Sequence, residues 1–150
     1  MVQPNLKQRL AEAVKTAMRA RERARVDALR LIQAEIQRIE IDERIVADDT
    51  RVLAVLDRMT KQRRDAIAQY QAAGRAELAA REQAEIDVIA EFLPEPLSDA
   101  EIDALIAAAI AQSGAGSARD LGKVMALLKP QLQGRADLGA VSARVKNQLG

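Results

Sequence analysis

The stretch that decides the organisation of this chain is Phe92-Leu93-Pro94-Glu95-Pro96-Leu97-Ser98-Asp99-Ala100-Glu101. Each proline lacks a backbone donor and disfavours helix in the residue before it, so a helix that reaches Pro94 ends there. Ser98 and Glu101 then have the spacing of a capping box, in which the serine oxygen accepts from the Glu101 amide and the glutamate reaches back. The sequence therefore predicts two domains, residues 1–94 and residues 95–150.

Before this break, apolar residues recur at the spacing of four helices. Asn5 is placed to cap the first helix. The charged link Arg21-Glu22-Arg23 leaves two interpretations open for the first two stripes, an antiparallel pair or one bent helix. Asp48-Asp49-Thr50 then caps a third helix that Gly74 ends, and a fourth begins at about Ala76.

After the break, the pattern indicates three shorter helices. The fifth runs from the capping box to Gly114, the sixth starts at Ser117 with Asp120 and runs to Pro130, and Asp137 caps the seventh. No strand pattern is visible. The predicted fold class is all-α: N-terminal antiparallel helical hairpins followed by a small C-terminal three-helix domain.

The composition excludes several kinds of chemistry. The 150 residues include no histidine and no cysteine, which removes histidine bases, thiolate nucleophiles and zinc sites built on imidazole or sulfur. Aromatic residues make up 1% of the chain, Tyr70 and Phe92 alone, so base stacking of the kind found in single-strand binders is not expected. We expect no catalytic residues, no cofactor and no metal site.

The N-terminus has no apolar signal region, and no apolar run is long enough for a membrane span. We therefore expect a cytoplasmic protein without a membrane partner. Charge is unevenly distributed: residues 1–30 carry a net +5, residues 31–111 carry −8, and residues 112–150 carry +4. Basic ends of this kind suit a polyanion, although pairing between helices explains them equally well.

The sixth helix carries the main candidate site. Small and basic residues recur there in steps of three and four, which places on one stripe Arg119, Gly122, Lys123, Ala126 and Lys129. Glycine inside a helix costs about 1 kcal/mol relative to alanine, so something approaches the backbone at Gly122, either RNA or a neighbouring helix (the fifth or seventh). The turn Gly134-Arg135 follows, and its amides are candidates for a phosphate contact.

A second basic patch lies near the N-terminus and consists of Arg19, Arg21, Arg23, Arg25 and Arg30. Local pairing with Glu22 and Asp27 explains this patch better than RNA does, because a run of charged residues is usually a solvated face. The carboxylates Asp42, Glu43, Asp48 and Asp49 fit the spacing of no recognised cation loop.

The chain resembles the GatB/YqeY family over nearly its whole length. The resemblance rests on the order and spacing of short motifs: Ala28-Leu29-Arg30-Leu31-Ile32, Lys61-Gln62-Arg63-Arg64-Asp65, Ala73-Gly74-Arg75, Phe92-Leu93-Pro94, Leu97-Ser98, Gly122-Lys123-Val124-Met125, Gly134-Arg135-Ala136-Asp137 and Val141-Ser142. Leu138 departs from the family pattern, which has glycine directly after the aspartate.

In that family the same module forms the tail of the B subunit of the glutamine-dependent aminoacyl-tRNA amidotransferase. The tail binds tRNA and holds no catalytic machinery, and the chain resembles a free-standing copy of it. The resemblance implies a non-catalytic module that binds tRNA or another folded RNA. A helical protein–protein adaptor is the alternative, and an accessory part of a carbon–nitrogen ligase with glutamine as amido-N donor is the third. The oligomeric state stays open.

Overall fold

The computed structural model describes residues 4–150, and the regular structure in that range is helical. Seven α-helices and one 3₁₀ turn are present there, with no strand. In chain order they are α1 Leu6–Arg19, α2 Arg23–Glu43, α3 Asp49–Ala72, α4 Ala76–Ala90, α5 Asp99–Ser113, the 3₁₀ turn Ala118–Asp120, α6 Leu121–Leu132 and α7 Leu138–Leu149. The predicted all-α class is confirmed.

The chain divides into two compact units between Leu93 and Pro94. In the N-terminal unit, α1 packs against α2 and α3 packs against α4, while α2 also contacts α3 and α4. These helices enclose one hydrophobic core made mostly of aliphatic side chains, the largest fully buried ones being Leu10, Leu29, Ile32, Val52, Leu56 and Ile89. Aliphatic packing of this kind is what a chain with so few aromatic residues must use.

The link between α1 and α2 shows whether the first two stripes form an antiparallel pair or one bent helix. Arg21 has φ of 59°, in the left-handed region, so the chain reverses there and forms two helices rather than one bent helix. Arg44, with φ of 54°, ends α2 in the same way. Left-handed φ is rare for a residue with a Cβ, so both arginines hold conformations that glycine adopts more easily.

The predicted helix starts are confirmed by their hydrogen bonds. The side chain of Asn5 accepts from the Gln8 amide, and that of Asp48 accepts from the Arg51 amide. Ser98 and Glu101 form both bonds of the capping box, and Asp137 accepts from the Gly139 amide. Two stops are also as predicted, since Gly74 and Gly114 take φ of +70° and +69° after α3 and α5.

In the C-terminal unit, α6 packs against both α5 and α7. The core of this unit is aliphatic as well, with the fully buried side chains Ile106, Val124, Leu128, Leu132, Val141 and Val145. The amide of Leu97 donates to the carbonyl of Arg135 at 3.0 Å, which fastens the segment before α5 to the turn after α6.

One predicted helix end is wrong. Pro130 does not end α6, which continues through it to Leu132. A proline in a helix removes one intrahelical hydrogen bond, here the one to the carbonyl of Ala126 four residues earlier. Both residues lie on the exposed side of α6, where water can satisfy that carbonyl, and Leu132 is fully buried beyond them. Burial of Leu132 therefore favours one more helical turn.

Candidate nucleic-acid interface

The outer side of α6 is the surface that the sequence predicted as a stripe. Gly122, Lys123, Ala126 and Lys129 are all exposed, whereas Val124 and Leu128 are fully buried on the other side. Arg119 is exposed too, but it lies on the 3₁₀ turn before α6 rather than on the helix itself. The predicted residues thus share one solvent-facing surface, which we call the α6 stripe.

Gly122 lies in open space. A Cβ built at this residue would meet no other atom within 4 Å, so neither α5 nor α7 comes close to it. Close packing with either helix therefore does not explain this glycine. Because glycine has no side chain, a stretch of backbone is exposed here between cationic side chains.

Lys123 lies near the carboxylate of Asp120. Its Nζ lies 3.8 Å from Oδ1 of Asp120, in an i,i+3 pair whose lysine side chain is 71% exposed. Such an exposed pair contributes about 0–1 kcal/mol, so a phosphate can compete for the lysine. The pKa of Asp120 is lowered first by the hydrogen bond from the Gly116 amide and then by Lys123.

The turn Gly134-Arg135 differs from the expectation. It follows the C-terminus of α6, where carbonyl groups carry the helix dipole's negative end, which disfavours a phosphate. The Arg135 amide donates to the carbonyl of Leu132 at 2.8 Å, and its guanidinium Nε donates to the carbonyl of Glu95 at 3.2 Å. The prediction that the Arg135 amide faces a phosphate is therefore wrong, because that amide is already hydrogen-bonded to the carbonyl of Leu132.

The second basic patch is split by the structure. Arg25 links α2 to the end of α4. Its guanidinium donates to both carboxylate oxygens of Glu91, at 2.5 and 2.8 Å, and lies 3.8 Å from Glu22. The exposed Arg19, Arg21 and Arg23 have no carboxylate within 4 Å among residues 4–150. Arg30 donates to Sδ of Met18 at 3.7 Å.

The carboxylates near the end of α2 are already engaged in contacts within the fold. Asp42 pairs with Arg38, Glu43 with Arg51, Asp48 caps α3, and Asp49 accepts from the Leu6 amide. In the part of the chain that the structure describes, no three acidic side chains cluster closely enough to hold a metal ion. Nor does any helix there have the length and apolarity that a membrane span requires.

Sequence reasoning missed one feature of the stripe. The carbonyl of Ala126 has no i+4 donor within α6, because Pro130 has no N–H. A proline four residues after a stripe residue is the signal that would have found it.

Comparison with known proteins identifies the family. Residues 7–149 match the family described as Yqey-like protein, and the chain belongs to it. A relative from Pyrenophora tritici-repentis, named "Altered inheritance of mitochondria protein 41, mitochondrial", is 28% identical over 145 residues, which cover 95% of this chain and 80% of the relative. An uncharacterized protein of Schizosaccharomyces pombe is 31% identical over 96 residues, covering 64% of this chain and 78% of that protein.

Proposed function

We propose that this YqeY-like protein is a non-catalytic module that binds folded RNA, with tRNA as the leading ligand, through the α6 stripe. The observation that carries the proposal is the open backbone at Gly122, flanked on the same exposed surface by Arg119, Lys123 and Lys129. A polyanion can lie against bare backbone while the cations reach its phosphates. Contacts of this kind position a nucleic acid without reading its sequence.

The chemistry of the stripe suits a ribose-phosphate chain. Arg119, Lys123 and Lys129 supply positive charge for phosphates. The carbonyl of Ala126 supplies an acceptor, and a ribose 2′-hydroxyl is a matching donor that DNA lacks. The near absence of aromatic residues argues for recognition of shape and backbone rather than of stacked bases.

The family resemblance supports tRNA as the ligand, because the similar tail of the amidotransferase B subunit binds tRNA. In that setting the protein is an accessory part of a carbon–nitrogen ligase whose active site lies on another chain. Of the second basic patch, we retain Arg19, Arg21 and Arg23 as a secondary RNA contact. The cytoplasm stays the proposed location, and the printed name of the Pyrenophora relative makes the mitochondrion the alternative.

The test is a titration of the full chain against tRNA by filter binding at several salt concentrations. If Z phosphates are contacted, the logarithm of affinity should fall with the logarithm of salt at a slope of about −0.7Z to −0.9Z. Lys123→Glu should weaken binding to every tRNA alike, since the contact is to backbone. Lys146→Glu on the exposed side of α7 is the matched control and should change affinity much less.

Two results would count against the proposal. Undetectable tRNA binding at low salt would exclude the RNA function and favour the adaptor. Equal losses from Lys123→Glu and Lys146→Glu would show that only net charge matters and that the α6 stripe is not the site.

A further inference from the structure

A shallow groove lies where α1 ends and α2 begins. Its volume is about 550 Å³, within the range of about 300–1,000 Å³ that ligand sites in proteins occupy. Met18 and Val26 form its apolar part, and charged side chains complete the lining: Arg21, Arg23, Asp27 and Arg30. Three cations and one anion therefore border a single concave surface, which we call the α1–α2 groove.

The cations of this groove are not neutralised by nearby carboxylates. In the part of the chain that the structure describes, no carboxylate lies within 4 Å of the guanidinium groups of Arg21, Arg23 or Arg30. Arg30 donates to Sδ of Met18 at 3.7 Å, whereas the neighbouring Arg25 is fully engaged with a carboxylate. Positive side chains in a concave surface attract a polyanion strongly, because the low-dielectric walls focus their field.

Arg21 occupies a backbone position at which folding favours glycine. Its amide donates to the carbonyl of Met18 at 3.1 Å, and the amide of Glu22 donates to the carbonyl of Ala17 at 3.0 Å. These two bonds form the Schellman ending of a helix, whose left-handed residue is usually glycine. Arg21 holds that position with φ of 59°, so its side chain is present at a cost in stability. A long cation at such a position, in the lining of a groove, indicates a function of the side chain.

The apolar part of the groove narrows the choice of ligand. Met18 is 51% exposed, while Val26, the other apolar lining residue, is buried. A paired RNA helix offers phosphates and riboses to such a surface but keeps its bases stacked inside. An unpaired nucleotide also offers the face of its base, which a thioether contacts favourably and on which an arginine guanidinium stacks. The groove therefore suits an unpaired nucleotide better than a continuous duplex.

We propose that the α1–α2 groove receives one unpaired nucleotide of the folded RNA, such as a bulge. Arg21 and Arg23 hold its phosphates, and its base lies against the side chains of Met18 and Arg30. No aromatic platform is needed for this contact, because the feature recognised is an interruption of the RNA helix, which belongs to its shape. This role rests on the proposed RNA function but not on the α6 stripe, which belongs to the other unit.

The test is filter binding of the full chain to two RNA duplexes with the same base pairs, one of which carries a single bulged nucleotide. Wild-type protein should bind the bulged duplex about two- to tenfold more tightly, the range expected for contact of a methionine sulfur with an aromatic ring. Met18→Gln should remove this preference and leave the affinity for the paired duplex unchanged. The matched control is Leu31→Gln, at another exposed apolar residue outside the groove, which should keep the preference.

Arg21→Gly is expected to stabilise the fold and to weaken RNA binding. Loss of the Cβ should raise the melting temperature by about 2–8 °C. Loss of the guanidinium should weaken binding to both duplexes and make the salt slope shallower by about 0.7–0.9. Arg44→Gly is the matched control, because Arg44 has φ of 54°, lies outside the groove and carries the same charge. It should raise the melting temperature as well and leave both affinities nearly unchanged.

The outcomes distinguish the groove from the wider RNA function. Equal affinity for the paired and bulged duplexes overturns the groove's role and leaves the proposed RNA function standing, and so does an Arg21→Gly protein with wild-type affinity. Tighter binding of poly-L-glutamate than of the bulged duplex, dependent on Arg21, overturns it too and assigns the groove to an acidic protein segment. Absence of binding to tRNA and to both duplexes at low salt removes the RNA function itself, and with it the ligand of the groove.

Discussion

Glu40 joins Lys7 to the loop before α3. Its carboxylate oxygen Oε2 accepts from Nζ of Lys7 at 2.5 Å and from the amide of Ala47 at 2.8 Å. One side chain on α2 therefore fixes both the start of α1 and the chain reversal between α2 and α3. Both contacts favour the charged carboxylate, and they lower the pKa of Glu40, the lysine contact more strongly than the amide.

The lowered pKa of Glu40 determines the direction in which the stability of the protein changes with pH. Because the pKa of Glu40 is lower in the folded protein than its usual value of 4.5, its contribution is complete above that value and disappears as the pH falls through the folded pKa. We expect Glu40→Gln to lower the melting temperature at pH 7. The difference from wild type should shrink in strong acid.

Melting curves at pH 7 and at about pH 3 check this expectation. The control is Glu12→Gln, which alters an exposed side chain that lies 3.6 Å from Nζ of Lys15. A wild-type advantage that stays constant across the acid range would contradict the assignment to Glu40.

The left-handed arginine at the end of α2 predicts a stabilising substitution. Arg44→Gly should raise the free energy of unfolding by about 1 kcal/mol, because a Cβ in this region is crowded against its own backbone and glycine has none. Gly114→Ala should lower it by a similar amount, since Gly114 has φ of +69°. Urea denaturation of both variants checks the pair, and equal signs would contradict it.

Substitution of Gly122 should have opposite effects on the stability of the fold and on the affinity for tRNA. Gly122→Ala should stabilise the C-terminal unit by up to about 1 kcal/mol, because its Cβ meets nothing within 4 Å and alanine favours helix. The same Cβ should weaken tRNA binding if a sugar-phosphate chain lies against the backbone there. Thermal denaturation and filter binding of one variant measure the two effects.

Gly116→Ala is the matched control, since its Cβ also meets open space but lies before the 3₁₀ turn rather than in α6. We expect it to leave affinity unchanged. A more stable Gly122→Ala protein with wild-type affinity would remove backbone approach from the binding mechanism, even if the lysines of the α6 stripe matter.

Pro130 predicts a further gain in stability. Pro130→Ala should stabilise the C-terminal unit by about 1–3 kcal/mol, because the new amide can donate to the carbonyl of Ala126 and complete the helix. The backbone amide of residue 130 should then be protected in hydrogen exchange followed by NMR. An unprotected amide would mean that α6 is distorted at this point for another reason.

The sequence predictions are accurate where the interacting groups lie within a few residues of each other, and less so where distant residues decide the structure. The capping box of Ser98 and Glu101 and the stop at Gly114 depend on groups within a few residues, and the structure has both. Pro130 was misjudged because burial of Leu132, a property of the packed unit, outweighs a local preference. Rules that consider only neighbouring residues do not account for the burial of Leu132 in the packed unit.

The candidate site divides in the same way. The exposed face of α6 follows from helical periodicity alone, so the α6 stripe was predictable. Arg25 was not, because its partner Glu91 is 66 residues away along the chain, at the end of α4. The Arg135 amide was misassigned because the sequence does not say that the closing hydrogen bonds of α6 take it up.

The scarcity of aromatic residues has a practical consequence. Tyr70 and Phe92 both belong to the N-terminal unit, and residues 94–150 contain no aromatic side chain. Tyrosine fluorescence therefore follows the melting of one unit only, whereas far-ultraviolet circular dichroism follows both. The native chain carries its own optical label for distinguishing the two transitions, and a substitution such as Gly122→Ala should shift one signal and leave the other in place.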